Sequence, residues 1–134
     1  MSRVSFLHPM LAALPGRLAL RNVRNERELA HDLIAAFDSN TRRTGLLGRD
    51  VFPDGSAMLI APSNAVHTFF MRFAIDVAFV TRDGRIVKAV HSLRPWRIAA
   101  AFGAFAVVEL PAGPLARCDT ATGDTLSIQP AQQV

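Results

Sequence analysis

Apolar residues between positions 57 and 128 come in short runs, and each run is closed by residues that favour turns. Runs this short are typical of β-strands, because the helices of globular proteins are longer. The pair Asp83-Gly84 tolerates the positive φ angles of a type I′ turn. We therefore predict a meander of hairpins. The predicted strands are 57–61, 67–73, 76–81 and 85–93, followed by strands at 104–110 and 125–128.

The region before these strands combines two patterns. Residues 17–23 alternate between two faces and predict a strand. Asn25 is then a suitable helix N-cap, and Glu28 stands three residues later, as in a capping box. Apolar residues follow at helical spacing, so the pattern predicts a helix that begins at residue 25 and either ends near residue 39 or continues irregularly towards residue 47. The apolar stripe of this helix consists of Leu29, Leu33, Ile34 and Phe37.

Together these elements predict a single mainly β domain over residues 17–129. Its expected fold is a compact antiparallel β-sandwich or barrel with one helix in the amino-terminal half. Residues 1–16 are expected to form an apolar arm, and residues 130–134 a tail. The arm has some features of an export signal, but His8 and Pro9 interrupt it. A packed or loose arm is therefore favoured, and a cytoplasmic location is slightly favoured over export.

Composition narrows the classes of function. The chain has 134 residues, of which 15 are basic and 11 acidic, so the formal net charge is +4. The two signs are interleaved along the chain, and we expect no nucleic-acid partner. No apolar run has the length of a transmembrane helix. The single cysteine, Cys118, excludes an internal disulfide, and His67 and His91 lack metal-ligand spacing, so we expect no metal and no cofactor.

The first candidate for function is a basic loop. Arg42, Arg43 and Arg49 flank a segment that contains Gly45 and Gly48. The two glycines could expose backbone amides to an anion, with the guanidinium groups closing around it. The segment lacks the Lys-Ser/Thr ending of a P-loop. The alternative is the end of a helix with solvated arginine side chains.

The second candidate is the predicted strand 67–73. On a strand, His67 and Met71 share one face with phenylalanines, while Thr68 and Arg72 lie on the other face. An imidazole among apolar groups would be partly desolvated and neutral near pH 7, so it could accept a proton. The alternative is a core or rim histidine that is satisfied by one hydrogen bond.

The third candidate is a pair of acids. Asp76 and Glu109 each interrupt an apolar strand. A carboxylate buried there needs a cation or several hydrogen-bond donors, because unpaired burial is costly. Arg43, Arg49 and Arg72 are the available cations. Two alternatives stay open: a structural ion pair between strands, and a general acid and base.

Several motifs carry a resemblance to a known family when they are taken in order over about residues 40–128. They resemble those of the prokaryotic domain-of-unknown-function family 192. The resemblance implies a small β-rich domain with a helix beside it, and it implies no activity because the role of the family is not established. The family's aromatic-Met-Lys segment is Phe70-Met71-Arg72 here, so a role specific to a lysine amine would not transfer. The matching motifs are Arg43-Thr-Gly-Leu-Leu-Gly-Arg49, Ala57-Met-Leu-Ile60, His67-Thr-Phe-Phe-Met-Arg72, Ile75-Asp-Val-Ala-Phe79, Asp83-Gly-Arg-Ile-Val87, Val108-Glu-Leu-Pro-Ala-Gly113 and Gly123-Asp124.

The leading hypothesis is a non-enzymatic binding or accessory domain. It would hold a small polar or anionic ligand in a cleft between the loop 45–49 and the segment 67–76, with Glu109 orienting the arginines. The arginines would supply donors, the histidine and threonine directional hydrogen bonds, and either Phe70 or Met71 an apolar wall. The expected ligand-binding residues are Arg43, Arg49, His67, Thr68, Met71, Arg72, Asp76 and Glu109.

Two alternative functions belong to other classes. One is a hydrolase or isomerase in which His67 is the base and Asp76 or Glu109 is its partner, within about 3 Å. The other is a protein-interaction module that uses an exposed apolar patch around Trp96 and Phe102. A structural alternative for Trp96 is that it caps the core. The residues of the expected patch are Trp96, Ile98, Phe102 and Phe105.

Overall fold

The structure is a computed structural model that describes residues 5–12, 16–38, 46 and 49–131. Short strands dominate these residues, and the two described helices have four residues each. In chain order the elements are α1 (His8–Leu11), β1 (Leu18–Asn22), β2 (Glu28–Ala30), β3 (Asp32–Ala36), β4 (Ser56–Ile60), β5 (Ala65–His67), β6 (Ile75–Val80), β7 (Ile86–Leu93), β8 (Ile98–Ala100), β9 (Ala106–Pro111), α2 (Pro114–Arg117) and β10 (Leu126–Pro130).

The strands form three layers. A three-stranded antiparallel sheet has the order β10-β1-β2, and a five-stranded sheet has the order β3-β4-β9-β6-β7. A two-stranded antiparallel ribbon, β5-β8, is the third layer. In the five-stranded sheet, β4, β6 and β9 are buried at every position, as expected for strands covered on both faces.

Two hydrophobic cores separate the layers. The first core lies between the three-stranded and five-stranded sheets, and it contains Leu20, Val108 and Leu110. The second core lies between the five-stranded sheet and the ribbon, and it contains Val77, Val107 and the ribbon residue Ala99. Because successive side chains of a strand point to opposite faces, each central strand contributes its side chains alternately to the first and the second core.

The mainly β sandwich is confirmed. None of the described sheets closes on itself, so within the described ranges the layers form a sandwich and not a barrel. The predicted strands 17–23, 57–61, 76–81 and 85–93 correspond to β1, β4, β6 and β7, and those at 104–110 and 125–128 to β9 and β10. Phe6 and Leu7, which precede α1, are buried in the first core.

The predicted helix over residues 25–39 is wrong, because this region forms β2 and β3. The Asn25 side chain accepts the backbone N–H of Arg27 at 2.9 Å, so the presumed cap closes a turn instead. β3 then pairs in parallel with β4 along its whole length. Leu33 faces the first core and Ile34 the second, so the stripe is divided between two faces. Sheet pairing outweighs the weak local helix signal.

The predicted meander is also wrong beyond one hairpin. β6 and β7 are hydrogen-bonded neighbours, but β4 pairs with β3 and β9, and β9 lies between β4 and β6. The hairpin turn differs from type I′, because Gly84 has a φ of 88° whereas Asp83 does not have a positive φ. Gly84 donates its N–H to the Thr81 carbonyl at 3.0 Å. A type I turn followed by a left-handed glycine accounts for this geometry.

Candidate functional site

Glu109 lies at the centre of the five-stranded sheet. Its Cα partners in the neighbouring strands are Met58 and Val77, and both of these residues belong to the second core. Strand alternation therefore places the Glu109 side chain on the second-core face, and the residue is only 5% exposed. Burial alone raises the pKa of its carboxyl group from 4.5 to about 7. Within the described residues no cation compensates this burial.

Asp76 lies on the opposite face of the same sheet. It is paired with Leu110, which belongs to the first core, and it is 1% exposed. Its Oδ1 accepts the backbone N–H of Ser92 at 2.9 Å. Its Oδ2 accepts the N–H groups of Gly113 at 3.1 Å and Leu115 at 2.9 Å. Asp76 therefore ties the end of β7 and the start of α2 to β6, and these donors take the place of the expected arginine.

The segment 67–73 is not a strand. β5 ends at His67, and the chain then makes a turn in which Phe70 has a φ of 65°. His67 is exposed and its ring contacts the Phe69 ring at a centroid distance of 5.1 Å. The prediction of a desolvated imidazole is therefore wrong. His67 faces outward from the ribbon, whereas the Asp76 side chain lies on the far face of the five-stranded sheet, in the first core.

The Thr68 hydroxyl has a structural role, because its hydrogen bonds link two turns of the chain. Thr68 is fully buried, and its hydroxyl donates to the Arg94 carbonyl at 2.6 Å and accepts the Arg97 N–H at 2.9 Å. Its carbonyl accepts the N–H groups of Met71 at 3.2 Å and Trp96 at 2.9 Å. Thr68 thus joins the turn after β5 to the turn before β8.

The remaining site residues that the structure describes, Arg49, Met71 and Arg72, lie on the segments that cover the second core. Met71 is buried in that core, and Arg72 is exposed and forms an ion pair with Asp50. Arg49 is exposed, and Arg43 lies outside the described residues together with the rest of the predicted anion loop except Leu46. The Phe52 and Phe73 rings, 6.2 Å apart, also join the two covering segments.

The described residues therefore do not assemble the expected cleft. Glu109 and Met71 share the second core, but Asp76 lies in the first core. His67 is on the outer surface of the ribbon, and the buried Thr68 hydroxyl is hydrogen-bonded to the backbone of the same chain. Within the described ranges, no group of three or more His, Cys, Asp or Glu residues is arranged to hold a metal ion.

The structure instead brings together a cluster of aromatic side chains at the surface, in which Phe70 and Trp96 are exposed and Phe69 is half-buried. The Phe69 and Trp96 rings are stacked at 5.8 Å, and the Phe70 and Trp96 rings are 4.5 Å apart. Trp96 is 55% exposed, so the expectation that it caps the core is wrong. Phe70 and Trp96 both have left-handed backbones, with φ of 65° and 66°. This conformation is costly for bulky residues, and the Thr68 hydrogen bonds hold it.

The cluster continues along the outer face of the ribbon. His67 is paired with Ile98 and Ala65 with Ala100, and all four side chains are exposed, whereas Val66 and Ala99 between them are buried. Phe102 follows β8 and is fully exposed. We call this outer face the ribbon surface. It consists of Ala65, His67, Phe69, Phe70, Trp96, Ile98, Ala100 and Phe102.

Sequence reasoning found part of this surface. It named Trp96, Ile98 and Phe102 as an alternative patch, and these residues are exposed. Phe105 is not part of it, because its ring is half-buried beneath the Arg82 guanidinium at 3.9 Å. The contribution of Phe69 and Phe70 was missed, since these residues were assigned to a strand.

The fold and this surface define a small β-sandwich domain with exposed aromatic side chains in the segments that flank a two-stranded ribbon. The model of the family DUF192, described as an uncharacterised ACR, matches residues 21–128. The chain belongs to this family, and the resemblance of its motifs is confirmed. No curated protein matches the sequence.

Two solved bacterial structures have a similar fold. One, from Sinorhizobium meliloti, is provisionally described as a transcription regulator. It has a TM-score of 0.71 and 23% identity, over 83% of this chain and 91% of the other. The other is a protein of unknown function from Novosphingobium aromaticivorans, with a TM-score of 0.70 and 21% identity over 83% of each chain. At these identities the likeness concerns the fold alone.

Proposed function

We propose that this domain is an accessory binding module that attaches to a partner through the ribbon surface. The observation that carries the proposal is the concentration of exposed apolar groups there. Among the described residues, four of the seven large apolar side chains that are exposed belong to it: Phe70, Trp96, Ile98 and Phe102. Contiguous exposed apolar surface is typical of interaction sites, and tryptophan is a frequent anchor in them.

The construction of the surface supports the same proposal. The inner face of the ribbon, Val66 and Ala99, is fixed in the second core. At one end, Thr68 holds Phe70 and Trp96 in left-handed backbone conformations that leave their rings exposed. Strained backbone that presents side chains to solvent is commonest where those side chains act. A rigid surface also loses little conformational entropy when it binds.

Site-specific photo-cross-linking tests this function in the native host cell. Replacement of Phe102 by a photoreactive phenylalanine analogue should give covalent adducts between this protein and its partner, because the side chain is fully exposed on the proposed surface. The matched control is the same replacement at Val23, which is also exposed but follows β1 on the three-stranded sheet. Equal adduct formation from both positions, or none from position 102, would contradict the proposal.

Glu109 favours a second candidate function. We also propose that a small polar ligand binds over Glu109, with Arg43, Arg49, Met71 and Arg72 taking part. The support is the burial of this carboxyl group, which no cation among the described residues compensates and whose pKa of about 7 lets it donate or accept a hydrogen bond near neutral pH.

A thermal-shift screen with organic acids, phosphates and sugars tests the second candidate. A ligand of this site should raise the melting temperature of the wild type by several degrees, because it stabilises only the folded state. Arg49→Ala should keep the unliganded melting temperature, since Arg49 is exposed, and should reduce the shift. If no compound shifts the wild type, or if the shift is equal in Arg49→Ala, this candidate fails.

A further inference from the structure

The segments of the chain that form the ribbon and its flanks carry only basic charged residues, and one of these, Arg72, is paired with Asp50 outside them. Residues 55–75 and 84–108, which contain the ribbon and its flanks, include no aspartate or glutamate. Lys88, Arg94 and Arg97 are exposed there, and in the described part of the chain none of them forms an ion pair. The Lys88 ammonium donates to the Ala100 carbonyl at 2.9 Å, which places one cation directly at the edge of the ribbon.

The apolar groups of this surface differ from a platform for stacking nucleic-acid bases. The Phe70 and Trp96 rings lie against each other rather than apart. Ile98, which is aliphatic, lies between this cluster and Phe102. Phe102 is fully exposed beyond the end of the ribbon. Protruding aromatic and aliphatic side chains next to arginine and lysine are the combination that binds at the interface of anionic membranes.

We propose that the partner of the ribbon surface is a membrane surface rich in anionic phospholipid. The inference rests on the proposed function and names its partner. Phe102, Ile98 and Trp96 would enter the boundary between headgroups and acyl chains, while Arg94, Arg97 and Lys88 contact lipid phosphates. This is attachment to the surface of a bilayer. No helix in the described ranges has the length and apolar character needed to span one.

The single tryptophan of the chain makes the test direct, because Trp96 lies on the proposed surface. The full chain is mixed with vesicles of phosphatidylcholine alone, or of phosphatidylcholine and phosphatidylglycerol in equal parts. With the anionic vesicles the Trp96 emission should move to shorter wavelength, and the protein should sediment with the lipid. Phosphatidylcholine alone should cause neither change, and added salt should weaken the binding.

Matched variants distinguish binding through the ribbon surface from a general effect of positive charge or of exposed apolar side chains elsewhere on the protein. Arg94→Gln/Arg97→Gln should weaken binding to the anionic vesicles roughly thirtyfold, and Phe102→Ser roughly tenfold or more. Arg27→Gln/Arg117→Gln removes the same charge far from the ribbon, and Val23→Ser removes another exposed apolar group. Both controls should bind like the wild type. All altered side chains are exposed, and the melting temperature of each variant verifies its fold.

The lipid assignment is overturned if anionic vesicles leave the Trp96 emission and the sedimentation unchanged. It is also overturned if the control variants lose as much binding as the ribbon variants. A Trp96 response to single-stranded oligothymidylate, or to rising protein concentration, without a response to vesicles would assign the surface to nucleic acid or to a second copy of the chain. Cross-links from position 102 in cells would then leave the proposed function standing while the lipid partner is rejected.

Discussion

Asp76→Ala is expected to lower the free energy of unfolding at neutral pH by about 3–5 kcal/mol. The Asp76 carboxylate accepts three backbone N–H groups, from Ser92, Gly113 and Leu115, at a site that is 1% exposed. Alanine would leave these donors buried without an acceptor, and the end of β7 and the start of α2 would lose their link to β6. Urea unfolding of both proteins measures the difference.

Two further variants sharpen the Asp76 prediction. Asp76→Asn keeps the volume and one carbonyl oxygen, so its loss of stability should lie between those of alanine and wild type. Asp54→Ala removes an exposed carboxylate and should change the unfolding free energy by less than about 0.5 kcal/mol. A loss below about 1 kcal/mol for Asp76→Ala would contradict the structural role assigned to this residue.

Glu109→Gln is expected to change the pH dependence of stability. The folded state holds the Glu109 proton up to pH about 7, whereas an unfolded chain releases it near 4.5. Between these values the folded state binds more protons, so the Glu109 contribution to wild-type stability falls as the pH rises and stays low above pH 7. Glutamine has no proton to lose. The stability of Glu109→Gln relative to wild type should therefore rise by about 3 kcal/mol between pH 4.5 and pH 8.

The Glu109 experiment also distinguishes a free from a paired carboxylate. Urea unfolding gives the free energies of unfolding of wild type and Glu109→Gln at pH 4.5 and pH 8. In the difference between the two proteins, the contributions of all other titrating groups cancel. If Glu109→Gln is less stable than wild type at pH 8, then the ionised carboxylate has a stabilising partner, and the uncompensated burial that supports the second candidate function is wrong.

Part of the fold could be predicted from the sequence, because some strands are locally encoded. The alternation of residues 17–23 and the turn residues Asp83-Gly84 identify β1 and the β6-β7 hairpin without tertiary information. The region 25–39 could not be assigned in this way. Its apolar residues suit either a helix or two strands on different faces, and only pairing of β3 with β4 decides between them.

The candidate site was harder to predict than the fold. The alternation within β6 and within β9 is visible in the sequence, but the register between them is not. Asp76 is paired with Leu110 rather than with Glu109, and this register puts the two acids on opposite faces of the sheet. The sequence left two alternatives open for Trp96, an exposed patch and a cap on the core, because an apolar residue in a short loop carries no sign of which side it faces.

The central claim is that this domain acts through the ribbon surface and not through a cleft containing His67 and the buried acids. Parallel photo-cross-linking from position 102 on the ribbon surface and from position 49 beside the second core tests it most directly. Both side chains are exposed, so access to solvent does not bias the comparison. We predict adducts from position 102 and none above background from position 49. Adducts from position 49 with none from position 102 would contradict the account.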